Sequence, residues 1–450
     1  MSNNLSISSS ELINSLRMEY SLYTIQDRAI PHLADGLKMS HRRVIWMAKD
    51  GAKYKSATLA GAAMSIHPHS APEGAINTLT APFSNNIPLF TALSTFGTKL
   101  APDSFGASRY TSVKLSSFTK DVILKDIEII PMKLSYDDSE MEPVHYLPLV
   151  PVVLINPQSG IAVGFACDIL PRSLADIVTA QLNYLKGKEV IEAYPKFLPS
   201  EQYAIQKTFN KKSTNPRWTF VGQYERHGVA KVIITELPYG VKYDDYINYL
   251  IELVEDGKIL DYIDGSKNSI DITVKFDRTT LSALSEDQLI RLLKLSYTST
   301  ENLNVVNFDG VTILHTDYLE IIQKFTDWRL TWYVQRYERL LQKLQEDIQR
   351  YKDIIRAIEK NVGGVARKTT SREELIEYLI AIKIVYTDYI AQLSVYRFTI
   401  EEKQKAEKKL ADALVLEQYY FSLLSSEEKR RKIYISELEE VFNNYCKGKK

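Results

Sequence analysis

Two cysteines in 450 residues, Cys167 and Cys446, are too few for a disulfide framework or a four-ligand zinc site. They predict a reducing, intracellular setting. Eighteen consecutive apolar residues occur nowhere, and the polar, serine-rich start from Met1 to Ser10 has no charged segment leading into an apolar one. The chain therefore reads as soluble, unexported and cytoplasmic, with no membrane partner. Net charge is also missing, since 56 basic residues balance 56 acidic ones. There is no Gly-x-x-x-x-Gly-Lys-Ser/Thr loop to cradle a nucleotide, and no apolar strand leading into a spaced Asp-x-Asp. A step that needs Mg²⁺ or ATP must then draw both from another chain. No fixed-period repeat and no low-complexity linker is visible. With 45% apolar residues over this length, several cores and two to four domains are expected.

What is present is charge segregation. Between Arg28 and Lys120 stand Arg28, Lys38, Arg42, Arg43, Lys49, Lys53, Lys55, Lys99, Arg109, Lys114 and Lys120. Against them are only Asp35, Asp50, Glu73 and Asp103, and His41, His67 and His69 lie in the same stretch. This fits a polyanion-binding face on an otherwise acidic body; the bland alternative is a solvated basic surface.

From Glu11 to Asp50 the pattern is helical, with Leu12, Leu16, Tyr20 and Tyr23 on one face and a break at Pro31 and Asp35-Gly36. Ser40 is expected to cap a second helix, His41 to Ala48. Two short helices around a glycine turn suit a helix-turn-helix or winged-helix module. The middle third reads as mixed α/β: an apolar run Val150–Ile155 closed by Asn156-Pro157, strands over Lys231–Leu237 and Ile270–Phe276, and a helix over Tyr246–Glu255. Asp137-Asp138 and Asp244-Asp245 read as solvated loops.

In the last third, Leu330, Val334, Tyr337, Leu341, Leu344, Ile348, Tyr351, Ile355 and Ile358 step by fours and threes, the seam of a coiled coil over about four heptads. Gly363-Gly364 is expected to end that helix, and Ser371 with Glu374 to cap the next. A returning amphipathic helix runs from Glu401 to Leu416, and Ser425 with Glu428 is expected to cap a last one carrying Tyr434, Leu438, Val441 and Tyr445. The pattern predicts an antiparallel hairpin with a helical knob; a self-contained bundle or passive spacer is the alternative.

The candidate chemistry centres on Tyr110. A tyrosine hydroxyl, with a reference pKa near 10, needs nearby positive charge to act as a nucleophile on phosphate, and Arg109 supplies one such charge. The dipeptide alone is weak evidence among 28 tyrosines, since Arg336-Tyr337 and Arg350-Tyr351 also occur within the coiled-coil pattern. Its Gly-Ala-Ser approach, the Pro, Asp and Gly behind it and the basic segments upstream single it out. His67-Pro68-His69 holds two imidazoles on an extended or turning segment, suited to phosphate contact more than to a metal, for which no third ligand is visible.

These segments resemble the DNA-cleaving A-type subunit of type IIA DNA topoisomerases, the class of gyrase A and the A-type chain of topoisomerase IV. The resemblance rests on Arg28-Ala29-Ile30-Pro31, Asp35-Gly36-Leu37-Lys38 and His41-Arg42-Arg43-Val44 at the family's spacing. His67-Pro68-His69, Pro82-Phe83, Phe96-Gly97 and Arg109-Tyr110-Thr111 follow in family order, then Ser159-Gly160-Ile161-Ala162-Val163-Gly164 and Ile234-Thr235-Glu236-Leu237-Pro238-Tyr239. It covers nearly the whole chain. One departure is Ser70-Ala71-Pro72-Glu73 where bacterial enzymes continue Gly-Asp-Ser-Ala. The end at Lys450, without a basic β-rich domain, argues against active supercoiling as its duty; the compact form is most similar to the medium subunit of the topoisomerases of large tailed bacteriophages, which would place it in the host cytoplasm.

The resemblance implies an α+β multidomain chain. Residues 1–20 would be an N-terminal arm, 21–125 a winged-helix cleavage domain, 126–318 a mixed α/β tower domain, and 319–450 a coiled-coil hairpin with a helical dimerisation knob. It implies a homodimer in which each Tyr110 attacks one strand of double-stranded DNA, leaving a 5′-phosphotyrosyl link and a free 3′-hydroxyl. Arg109, His69 and His67 would act at the scissile phosphate, while Arg28, Lys38, His41, Arg42 and Arg43 hold flanking phosphates and Ile161 wedges between base pairs. Mg²⁺ and ATP would be bound by partner subunits, with the ATPase driving passage of a second duplex for relaxation or decatenation. Two rivals are a single-strand nicking enzyme with a His-hydrophobe-His metal site, and a non-catalytic coiled-coil DNA-binding dimer.

Overall fold

A computed structural model describes residues 16–18, 20–68, 72–162, 164–200, 202–209 and 215–447. The expectations for Leu12, His69 and Val163 lie outside these residues. The chain divides into two compact units, residues 1–329 with 437–450, and residues 330–436.

In the first unit, a π-helical turn, Thr24–Ala29, precedes α1, Met39–Met47. Ser40 is not the cap expected of it: the helix starts two residues earlier, from Lys38, with no side-chain cap. The reason lies in the connection before it. Gly36 has φ +66°, and a Cβ there would lie 2.3 Å from the Val153 amide nitrogen, so the backbone turns sharply against the buried 152–154 segment and leads directly into the helix. That apolar run is itself a 3₁₀ turn, Val152–Leu154, with every side chain buried.

β1, Tyr54–Lys55, leads without a loop into α2, Ser56–Ile66, followed by α3, Pro72–Thr80. β2, Phe90–Ala92, and β3, Ser112–Leu115, complete an antiparallel sheet of order β1-β3-β2. Small apolar residues on one face of α2, Leu59, Ala60, Ala63 and Ile66, are buried, as are Val44 and Ile45 of α1.

A small hairpin of β4, Met132–Leu134, and β5, Met141–Pro143, is followed by a second of β6, Gln158–Ala162, and β7, Phe165–Ile169. Next come α4, Leu174–Leu185, and β8, Lys196–Phe197. Then follow β9, Gln202–Phe209, β10, Pro216–Val221, β11, Gln223–His227, and β12, Lys231–Glu236. α5, Tyr243–Glu255, starts earlier than the apolar period implied, so Asp244 and Asp245 are not in a loop but in a helical first turn, where a helix favours negative charge. β13, Asp261–Asp264, and β14, Ile272–Lys275, finish a sheet of order β11-β12-β14-β13, whose apolar face packs Val232, Ile234, Ile272 and Val274 on Tyr246, Leu250 and Leu253 of α5. After α6, Arg278–Ala283, and α7, Glu286–Leu292, β15, Ser296–Thr300, joins the sheet β15-β10-β9-β8. β16, Asn304–Val306, and β17, Ile313–His315, form a last hairpin.

Glu301 anchors this region. Fully buried, its carboxylate accepts two bonds from the Arg172 guanidinium (2.6 and 2.8 Å), one from the Trp218 indole (2.9 Å) and one from the Leu170 amide (3.1 Å). Every lone-pair direction of the charge is used, which is what makes its burial tolerable.

α8, Tyr318–Glu359, contributes residues 330–359 to the second unit. Leu330, Tyr337, Leu341 and Ile348 of its expected seam are buried. Opposite it runs α12, Ile400–Leu424: Tyr337 meets the Tyr420 ring at 5.7 Å, while further along Glu359 pairs with Lys403 at 2.9 Å, so the two helices are antiparallel. The glycine pair does not end α8. Asn361, left-handed at φ +50°, does so, and Gly363-Gly364 lies within a short helix α9, Val362–Ala366. α10, Arg372–Ala381, is capped by Ser371, whose hydroxyl accepts from the Glu374 amide, but the Glu374 carboxylate turns to Thr370 instead of closing the box on Ser371. α11 is Thr387–Ala391. Asp353, 1% exposed, accepts from the Val385 and Tyr386 amides and ties the segment before α11 to α8. α13, Glu427–Tyr445, starts after Ser426, whose hydroxyl accepts from the Lys429 amide; Ser425 instead closes α12.

Candidate functional site

The loop before β3 carries Arg109 and Tyr110. It is closed on itself by bonds from the Tyr110 and Thr111 amides to the Ala107 carbonyl, 2.8 and 3.1 Å. It is docked on the start of α2, where the Ser56 amide donates to the Thr111 carbonyl, the Ala57 amide donates to the Ser108 carbonyl, and the buried Thr111 hydroxyl donates to the Ser56 hydroxyl at 2.7 Å. Upstream, Gly97 at φ +77° makes a turn in which a Cβ would sit 2.4 Å from the Pro102 carbonyl oxygen. On this frame Tyr110 is 67% exposed, and the Arg109 guanidinium lies 4.8 Å from its ring centroid. An aromatic of that size is left in water at a cost, and its hydroxyl is open to a ligand. The positive end of the α2 dipole points at this loop.

One residue here was not singled out from sequence. Lys55 donates to the Tyr110 carbonyl at 3.0 Å. Its only sequence signal was membership in the basic stretch; the pairing of β1 with β3, Lys55 opposite Ser112, is what brings it to the tyrosine.

A second group gathers Arg28, Lys38 and Ile161. The β6–β7 hairpin packs on the Thr24–Ala29 turn so closely that a Cβ on Gly160 would lie 1.9 Å from the Ala29 carbonyl oxygen. Lys38 donates to the Ser159 carbonyl at 2.7 Å, and its partial burial pulls its pKa below the usual lysine value. Beyond that base Ile161 projects 87% exposed, an extreme value for isoleucine. Arg28 is exposed and stacks on Tyr23, its guanidinium 5.4 Å from the ring.

His67, the C-cap of α2, is buried, with its Nε2 3.5 Å from the Tyr23 hydroxyl and its ring 5.4 Å from that of Tyr136. The structure does not bring it to Tyr110 of the same chain. The two sit at opposite ends of α2, and a helix of 11 residues is about 16 Å long.

His41, Arg42 and Arg43, expected to hold phosphates, are all buried in this structure. Arg42, 2% exposed, forms a two-pronged bond with Asp35, 0% exposed, at 2.7 and 2.9 Å. Burial alone would raise the Asp35 carboxyl, but Arg42 holds it below its usual value. Arg43 is buried against Glu142 at 2.6 and 3.1 Å. His41 is buried, and burial with the charges of Lys38 and Arg42 pulls its pKa to about 3. Buried carboxylates neutralise both guanidinium charges, so neither adds net positive charge to a DNA-facing surface. Among the described residues no group of three or more His, Cys, Asp or Glu side chains is placed to hold a metal ion, and no helix is long and apolar enough to cross a membrane.

Comparison with known proteins places this architecture. The family model for the A-type subunit of DNA gyrase/topoisomerase IV matches residues 28–439. The chain belongs to that family, the A-type subunits of type II DNA topoisomerases, enzymes of the isomerase class. It is similar to the DNA topoisomerase medium subunit of Enterobacteria phage T4, 26% identical over 411 residues that cover 88% of this chain and 90% of the relative. It is also similar to the A-type DNA gyrase subunit of Mycolicibacterium smegmatis, 26% identical, with 95% of this chain and 55% of the relative covered. The chain thus spans most of the phage relative and about half of the bacterial one. A crystal structure of the Plasmodium falciparum topoisomerase II DNA-binding, cleavage and re-ligation domain shares the mixed α/β fold, with a TM-score of 0.81 at 22% identity, covering 98% of this chain and 66% of that one.

Proposed function

We propose that this chain cuts and rejoins duplex DNA as a homodimer, each Tyr110 attacking one strand. The bond formed joins the tyrosine oxygen to phosphorus and the bond broken releases a 3′-hydroxyl, leaving a 5′-phosphotyrosyl link whose retained bond energy makes the break reversible. The observation that carries this reading is the loop itself: an exposed tyrosine on a frame held through Ala107, Ser108 and Thr111, beside an exposed guanidinium and a helix N-terminus.

Residues 21–125 then act as a winged-helix cleavage domain behind an N-terminal arm, 126–318 as the tower, and 319–450 as a coiled-coil hairpin with a dimerising knob. Arg109 stabilises the phosphate under attack. Arg28 and Lys38 contact flanking phosphates, and Ile161 wedges into the base stack, kinking the duplex. His67 serves a tyrosine other than its own chain's, because α2 separates the two. Partner subunits bind Mg²⁺, which would neutralise charge on the scissile phosphate, and ATP, whose hydrolysis drives passage of the second duplex.

The test mixes the chain with its ATPase subunit, Mg²⁺ and supercoiled plasmid, followed by rapid denaturation. DNA should be recovered covalently bound to protein, and Tyr110→Phe should abolish it; covalent complexes formed by that variant would overturn the assignment.

A further inference from the structure

Three successive residues hold three carbonyls of the tyrosine loop: Lys55 that of Tyr110, Ser56 that of Thr111 and Ala57 that of Ser108. Two of these bonds come from backbone amides at the start of α2 and form whatever the side chains are. The third comes from a side chain, and it falls on the carbonyl of Tyr110 itself. We propose that Lys55 is a positioning residue for DNA cleavage, orienting Tyr110 by its carbonyl and adding a positive charge to the phosphate subsite; this rests on the reading of Tyr110 as the nucleophile.

The orientation argument is geometric. The Tyr110 amide is fixed to Ala107 on one side, and without Lys55 the peptide plane on its other side would be held only through Thr111. Fixing that plane limits rotation about Tyr110 ψ, and with it the direction in which the exposed ring leaves the loop. An error of about 1 Å in the attacking oxygen is enough to cost roughly a hundredfold in rate.

The charge argument concerns what Lys55 does not touch. Lys55 is exposed and, among the described residues, no carboxylate pairs with it. Its ammonium has three donors and the carbonyl takes one, leaving donors and an uncompensated charge beside Tyr110, on the loop that also carries Arg109. By contrast Arg42 and Arg43, which looked the stronger candidates, are neutralised by Asp35 and Glu142. In the cleavage step Lys55 exchanges no atom: it steadies the tyrosine and faces the phosphate oxygens.

The experiment compares Lys55→Met, Lys55→Arg and Tyr110→Phe in the complete enzyme with its ATPase subunit. It reads the rate of covalent-complex formation, affinity for a duplex and the melting temperature. Lys55→Met should slow cleavage by roughly ten- to a hundredfold, with duplex affinity within about twofold and melting unchanged, and Lys55→Arg should recover most of the rate. Cleavage by Lys55→Met at the unaltered rate, while Tyr110→Phe is inactive, overturns the proposal. So does a loss in both Lys55 variants that tracks a lowered melting temperature, which would make the residue structural. Covalent complexes from Tyr110→Phe would instead overturn the reading beneath it.

Discussion

Asp35 and Arg42, seven residues apart, face each other in the protein interior with two nitrogen–oxygen contacts of 2.7 and 2.9 Å. Asp35 also accepts from the amides of Leu37 and Tyr146, and the Tyr146 hydroxyl donates to the Arg42 carbonyl. The pair therefore fixes the approach to α1 and ties it to the 146 segment. Arg42→Ala would strand a buried carboxylate, and should cost about 3–5 kcal/mol, read as a lowered denaturation midpoint. A variant with native stability and selectively weakened DNA binding would instead return Arg42 to the DNA.

Stability should fall with acid well before the carboxylates titrate. Burial pulls His32 and His41 to about 3, against 6.5 for the free side chain, so unfolding takes up protons at any pH between those values. Their contribution is fully present above about 6.5 and declines towards pH 3 by about 1.4 kcal/mol per pH unit for each group. Asp35, also depressed, adds its loss only below the ordinary carboxylate range. Denaturation curves at pH 7.5 and pH 5 check this. His32→Asn with His41→Asn should flatten the dependence, and an unchanged slope in that variant would refute it.

Gly160→Ala should damage the site without touching it. Its methyl would need the space of the Ala29 carbonyl, 1.9 Å away, so the β6–β7 hairpin must lift from the Thr24–Ala29 turn. A loss of about 1–3 kcal/mol and weaker DNA bending are expected; a fully stable variant with normal bending would show that the hairpin base has room.

Ile161→Ser removes an apolar side chain that is already in water, so the melting temperature should hold or rise slightly. DNA bending, measured by end-to-end energy transfer on a labelled duplex, should drop, and cleavage with it. Bending equal to that of the unaltered chain would end its role as a wedge.

The long periodic elements were legible in the sequence because periodicity is a local property. The α8 seam, α5 and β12 follow from residue spacing, and Tyr110 stood out by its neighbours. Punctuation was less legible: Asn361 stops α8 because it accepts a left-handed backbone, whereas Gly363-Gly364 is absorbed in a short helix. The fate of the arginines was not legible at all. His41-Arg42-Arg43 looks basic in one dimension, but Glu142, which neutralises Arg43, lies 99 residues away. Lys55 was hidden for the converse reason, since only the β1–β3 register carries it to Tyr110.

The placement of Tyr110 and His67 at opposite ends of α2 carries a consequence for mixed assemblies. In the proposed arrangement each centre draws its tyrosine and its histidine from different chains, so a dimer built from one Tyr110→Phe chain and one His67→Ala chain would hold both lesions in a single cleavage centre and leave the other centre whole. Such a hybrid should nick one strand at the unaltered rate, while a protein whose centres were each made by one chain would be crippled at both.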